Sequence, residues 1–89
     1  MVKAVKIRVY GDVQGVGFRG RVKSMAMVYG VFGYVRNLPD GSVEIHVEGS
    51  EDRVDAFVEA AKNLKEFDVW EIELLETGVI GYNDFVIVP

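Results

Sequence analysis

Between residues 11 and 19 the chain reads Gly11-Asp12-Val13-Gln14-Gly15-Val16-Gly17-Phe18-Arg19, and the hydrophobic period differs on the two sides of this tract. Before it, Val5, Ile7 and Val9 alternate with Lys6, Arg8 and Tyr10, the pattern of a strand with one buried face. After it, from about Arg21 to Tyr29, Val22, Met25, Ala26 and Tyr29 recur at helical spacing, and Gly30 suits a C-terminal cap. Glycines at 11, 15 and 17 let the backbone enter conformations closed to other residues, so successive N–H groups can converge into an anion-binding nest. The helix that follows aims its free N–H groups and positive dipole end into the same space. Arg19, Arg21 and Lys23 crowd that helix start, where each cation is unfavourable by roughly 0.3–1 kcal/mol unless an anion binds there. A glycine-rich turn before a solvated basic helix accounts for the same residues, and such turns are common by chance.

The rest of the chain supplies a second strand at Gly33–Leu38, a turn at Pro39-Asp40-Gly41 and a third strand at Ser42–Glu48. In that strand Val43, Ile45 and Val47 are expected inward, and Glu44, His46 and Glu48 outward, with Glu44 and Glu48 facing Lys6 and Arg8. Ser50 is a candidate N-cap for a second helix, with Glu51 and Asp52 in its first turn and an apolar stripe at Val54, Phe57, Val58, Ala61 and Leu64. A fourth strand is expected at about Val69–Leu75, and a short one at Phe85–Val88. The order β-α-β-β-α-β plus a terminal strand predicts an α+β fold: a ferredoxin-like sandwich, an antiparallel sheet with two helices on one face. Its first two strands, joined through a helix, should be parallel. The glycine-rich loop and Asn37 then reach the same edge of the sheet.

Eighty-nine residues predict a single domain, 1–89. The lack of cysteine excludes thiolate metal sites and a cysteine nucleophile, a single histidine, His46, argues against a histidine-rich cluster, and His46 reads as a strand residue without a catalytic role. No apolar run approaches a membrane span and Met1–Ala4 lacks a signal-peptide core, so the expected setting is cytoplasmic. The net charge of −4 disfavours nucleic acid as a partner, yet it is uneven. Residues 1–36 carry seven basic groups against Asp12, a net +6, and residues 37–89 carry three against thirteen acids, a net −10. Either the halves pair in the fold or the first half builds an anion site.

The tract at residues 11–19 closely resembles the acylphosphatase signature, Gly-x-Val-Gln-Gly-Val-x-Phe-Arg, with every specified position present. A second signature of that family matches Gly33-Tyr34-Val35-Arg36-Asn37 and Asp40-Gly41-Ser42-Val43-Glu44. The resemblance implies hydrolysis of small acyl phosphates to a carboxylate and inorganic phosphate, without a metal or cofactor. It implies that backbone amides of Gln14, Gly15, Val16, Gly17, Phe18 and Arg19 hold the phosphoryl oxygens, and that inorganic phosphate or sulfate can occupy the same place. Arg19 and Asn37 correspond to the family's catalytic arginine and asparagine, the first clamping phosphate and the second positioning water. A guanidinium forks bidentately onto phosphoryl oxygens, and an amide both donates and accepts.

The chain departs from its relatives at Asp12, expected to face solvent, and at Gly20, which costs about 1 kcal/mol in helix propensity relative to Ala. A monomer is expected, with Met27 or Val28 as the exposed residues through which copies would associate. Trp70 reads as packing rather than ligand stacking. Two other functions compete: an RNA-binding module of the same element order, disfavoured by Glu44, His46 and Glu48 on the central strand, and a non-catalytic acylphosphatase-like module.

Overall fold

In the computed structural model, which describes Met1–Pro89, the elements are β1 (Val2–Asp12), α1 (Phe18–Tyr29), β2 (Phe32–Asn37), β3 (Val43–Ser50), α2 (Glu51–Lys62), β4 (Asp68–Glu76) and β5 (Phe85–Ile87). The sheet order is β4-β1-β3-β2-β5. β3 lies antiparallel to both β1 and β2, so those two run parallel and end at one edge, as the ferredoxin-like reading requires. β4 pairs antiparallel with β1. β5 alone is parallel to its neighbour, β2, which makes the sheet mixed at that side. Its direction follows from its approach: residues 77–84 leave one edge strand, cross the sheet and deliver β5 to the opposite edge.

The helices share one face. Val9, Ile7, Val43, Ile45, Val47 and Val35 project beneath them, and Tyr29 of α1 meets Phe57 of α2 edge-on at 6.4 Å. Fully burying a side chain such as Phe57 or Phe85 is worth about 1.5–3 kcal/mol, so this face carries most of the folding energy. α1 begins at Phe18, three residues before its apolar spacing becomes visible, and Gly30 caps it with its N–H on the Ala26 carbonyl. Ser50 does occupy the N-cap of α2, but its hydroxyl makes no capping bond; it pairs as the last residue of β3, opposite Val2.

The opposite face departs from expectation. Glu44, His46 and Glu48 do point away from the helices, yet all three are buried, at 3%, 0% and 3% exposure. Residues 77–84 form a strap across His46 and Glu48. Glu48 accepts the N–H groups of Ile80, Gly81 and Tyr82 at 2.9, 2.7 and 2.7 Å, and the His46 ring Nε2 lies 2.7 Å from its carboxylate. Tyr34 stacks on the His46 ring at 5.5 Å, and Tyr82 packs against both. Glu48 therefore faces the strap rather than Lys6 or Arg8. Glu44, opposite Arg8 in register, does face Lys6 at 3.7 Å as expected, and also takes Arg36 at 3.0 Å. With the central strand covered, there is no exposed aromatic platform of the kind an RNA-binding sheet presents. Trp70 is also corrected: it stands 72% exposed on β4, whose outer edge has no partner strand, and packs in no core. No helix is long and apolar enough to cross a membrane.

Candidate functional site

The tract from β1 to α1 is pinned at both ends by apolar side chains. Val13 and Phe18 are buried, and Phe18 meets Phe67 edge-on at 5.1 Å. Between them the backbone turns outward. Gly15 (φ 76°) and Gly17 (φ 85°) are left-handed, and a Cβ at either would meet nothing within 4 Å, so backbone conformation rather than crowding calls for glycine. Gly17 is the N-cap of α1, and its carbonyl accepts the first bond of the helix, from Arg21, at 3.1 Å.

The turn leaves a set of donors without acceptors. None of the nine backbone hydrogen bonds made outside the regular elements is donated by residues 14–20, and no side chain accepts from them. Gly15 and the start of α1 adjoin a cleft of about 150 Å³ lined by Val13, Gly15, Gly17, Phe18, Arg19, Gly20 and Ile87. Gly15, Val16, Gly17 and Gly20 are exposed, so these donors are open to solvent or a ligand, and a helix start attracts anions.

The cations at this helix start differ in their partners. Arg21 bonds Glu66 at 2.9 Å, an exposed pair worth little to stability. That bond helps to hold the Glu66 carboxyl below the usual carboxylate range, after the larger effect of its own backbone N–H. Arg19, half-buried in the cleft wall, makes no ion pair. The charge asymmetry thus resolves in both ways: Lys3, Lys6, Arg21 and Arg36 pair with acids of the second half, whereas Arg19 does not. Asp12, as expected, is exposed.

Asn37 ends β2 on the helix-facing side, paired with Val43, and therefore lies at the same end and on the same face as the start of α1. It is outside the lining of the cleft. Its Oδ1 is buried and has no hydrogen-bond partner. The connection between loop and Asn37 is Gln14, whose side chain turns from the cleft and donates to the carbonyls of Leu38 and Ser42, each at 2.8 Å. The turn they belong to is tightened by Asp40, whose carboxyl lies below its ordinary range because the Ser42 hydroxyl and N–H donate to it.

Two contributors escape a reading of the sequence. Ile87 reaches the cleft only because β5 pairs parallel with β2, a long-range event with no local signature. The tie made by the Gln14 side chain depends on the loop's path, and the sequence marks Gln14 only as a specified position of the signature and the sole glutamine in the chain.

The family model described as Acylphosphatase matches residues 5–87. The chain belongs to the acylphosphatase family. The Acylphosphatase of Thermotoga maritima is 48% identical over 87 residues, 97% of this chain and 97% of the relative. That of Methanospirillum hungatei is 41% identical over 88 residues, again 97% of each. Among solved structures, the crystal structure of acylphosphatase from Bacillus subtilis superposes with a TM-score of 0.90 at 41% identity, covering 100% of both chains. Full-length HypF in its phosphate- and nucleotide-bound form contains a matching unit, with a TM-score of 0.88 at 34% identity over 100% of this chain and 12% of that one. The family fold thus occurs both as a chain of this length and within a longer one.

Proposed function

We propose that this protein hydrolyses acyl phosphates at the cleft beside Arg19, with the N–H groups of Gln14–Arg19 and the Arg19 guanidinium holding the phosphoryl oxygens and Asn37 orienting the attacking water. The observation that carries this reading is the run of N–H donors from Gln14 to Gly20 without protein acceptors, curled beside the unpaired Arg19. Such a run is complementary to three phosphoryl oxygens carrying negative charge. Asn37 ends β2 at the same sheet edge, and a side-chain amide, which both donates and accepts, suits holding a water there.

The chemistry asks little more of the protein. Water's oxygen bonds to phosphorus as the bond from phosphorus to the acyl oxygen breaks. The acyl group departs as a carboxylate, a good leaving group that needs no proton from an acid, and the proton lost by water leaves with phosphate or solvent. Positioning and charge stabilisation dominate phosphoryl transfer, so this set suffices without a protein base or a metal.

The test is hydrolysis of benzoyl phosphate by the purified protein in the presence of a chelator, with inorganic phosphate as competitor. Turnover should survive chelation. Arg19→Ala and Asn37→Ala should each lower it by about 10³-fold or more with the fold intact. Full activity in either variant would sink this mechanism, and a folded wild-type protein without turnover would favour a non-catalytic module.

A further inference from the structure

The side chain of Gln14 makes the only polar tie from residues 13–20 to the hairpin that carries Asn37. Both carbonyls it reaches belong to the closing bonds of the β2–β3 turn. Leu38 N–H donates to the Ser42 carbonyl at 2.8 Å, and Gly41 N–H donates to the Leu38 carbonyl at 3.1 Å. Leu38 follows Asn37 directly, and Ser42 precedes Val43, the residue paired with Asn37. One amide nitrogen therefore grips both arms of the hairpin on the turn side of the Asn37–Val43 pair.

We infer that Gln14 is a positioning residue that holds Asn37 in register with the phosphate loop, an inference that rests on the reading of the cleft given above. A primary amide suits the task. Its nitrogen carries two hydrogens splayed so that each serves a separate carbonyl, and it adds no charge beside a bound phosphate. A carboxylate at this position would set oxygen against oxygen at both contacts. The consequence of losing the grip is kinetic: a displacement of about 1 Å between reacting groups costs on the order of 10² in rate.

The experiment compares wild type with Gln14→Met, which keeps the length and neutrality of the side chain and removes both donors. With benzoyl phosphate, kcat should fall by about 10- to 100-fold. The inhibition constant for inorganic phosphate should stay within about threefold, because the loop N–H groups and Arg19 are untouched. In the Asn37→Ala background, Gln14→Met should add little, since it acts through Asn37. A kcat within about threefold of wild type, or a phosphate constant that worsens in parallel with kcat, overturns the inference. A second measurement does not depend on the variant folding. In the wild-type protein the two side-chain amide protons of Gln14 should exchange slowly and lie close to residues 38 and 42, with and without phosphate. Their release when phosphate binds overturns it equally. Absence of wild-type turnover would instead remove the reading of the site and this inference with it, whereas wild-type turnover with an unaffected Gln14→Met removes this inference alone.

Discussion

Two segments of this protein gather consecutive backbone N–H groups, and they differ in what receives them. In the strap over the sheet, Ile80, Gly81 and Tyr82 donate to one carboxylate of the chain itself, Glu48, which is buried and braced by His46. In the loop before α1, the N–H groups of residues 14–20 have no acceptor in the protein, and the one charged residue lining the cleft beside them is Arg19. The strap uses the arrangement to close the open face of the sheet. In the loop, where Gly15, Val16, Gly17 and Gly20 are exposed, the same arrangement is left to solvent until an outside anion supplies what Glu48 supplies to the strap. One pattern of donors thus serves structure where the anion is covalently attached and ligand capture where it is not.

The comparison breaks first, and most visibly, at the loop. Arg19→Ala should lower benzoyl phosphate turnover by about 10³-fold while changing the melting temperature little, because the guanidinium makes no ion pair in the fold. Glu48→Gln should do the reverse. Three N–H groups would lose a charged acceptor, and chemical denaturation should show a loss of about 3 kcal/mol with phosphate affinity unchanged. Strong destabilisation by Arg19→Ala, or none by Glu48→Gln, would erase the distinction.

Acid should act on the strap in a way it does not act on the loop. Burial by itself would raise the Glu48 pKa, but the three N–H groups and His46 outweigh it and hold the carboxyl at about 2, against an ordinary value of 4.5. A carboxylate depressed by folding contributes stability that is complete above its unfolded value and drains away as pH falls through the folded one. Unfolding free energy measured from about pH 5 downward should therefore drop by about 3 kcal/mol as pH passes from 4.5 to about 2. In Glu48→Gln this part of the acid dependence should vanish.

The asymmetry between the two segments also separates what was legible in the sequence from what was not. The loop could be read because its signals are local: glycines at fixed offsets, a period change from strand to helix, and basic residues at a helix start. Asn37 could be joined to it because parallel β1 and β2 must end together. The strap was opaque. Nothing near Val79–Tyr82 announces that its N–H groups meet Glu48, some thirty residues upstream, so the stripe at Glu44, His46 and Glu48 reads as outward-facing without any sign that it is buried. Alternation of polar and apolar residues reports two faces, but it does not report whether the polar face is later covered. Ile87 and the exposed Trp70 escaped for the same reason, since both depend on which strand becomes an edge.

The loop's own glycines sharpen the contrast further. Gly17→Ala forces a methyl-bearing residue into the left-handed region at φ 85°, a cost of about 1–2 kcal/mol. It should also weaken inhibition by phosphate, since the N–H directions change with the backbone. Gly20 differs from Gly17 although only three residues apart. Its φ is not left-handed, and a Cβ there would meet nothing within 4 Å. Gly20→Ala should therefore stabilise the protein by roughly 0.5–1 kcal/mol through helix propensity and a less flexible unfolded chain. Because Gly20 lines the cleft, phosphate competition must be measured beside thermal melting. A higher melting temperature with unchanged phosphate affinity would mean that the donors need left-handed glycine only up to the N-cap and ordinary helix beyond it. A methyl that stabilised the fold but weakened phosphate binding would extend the anion site one residue past Arg19.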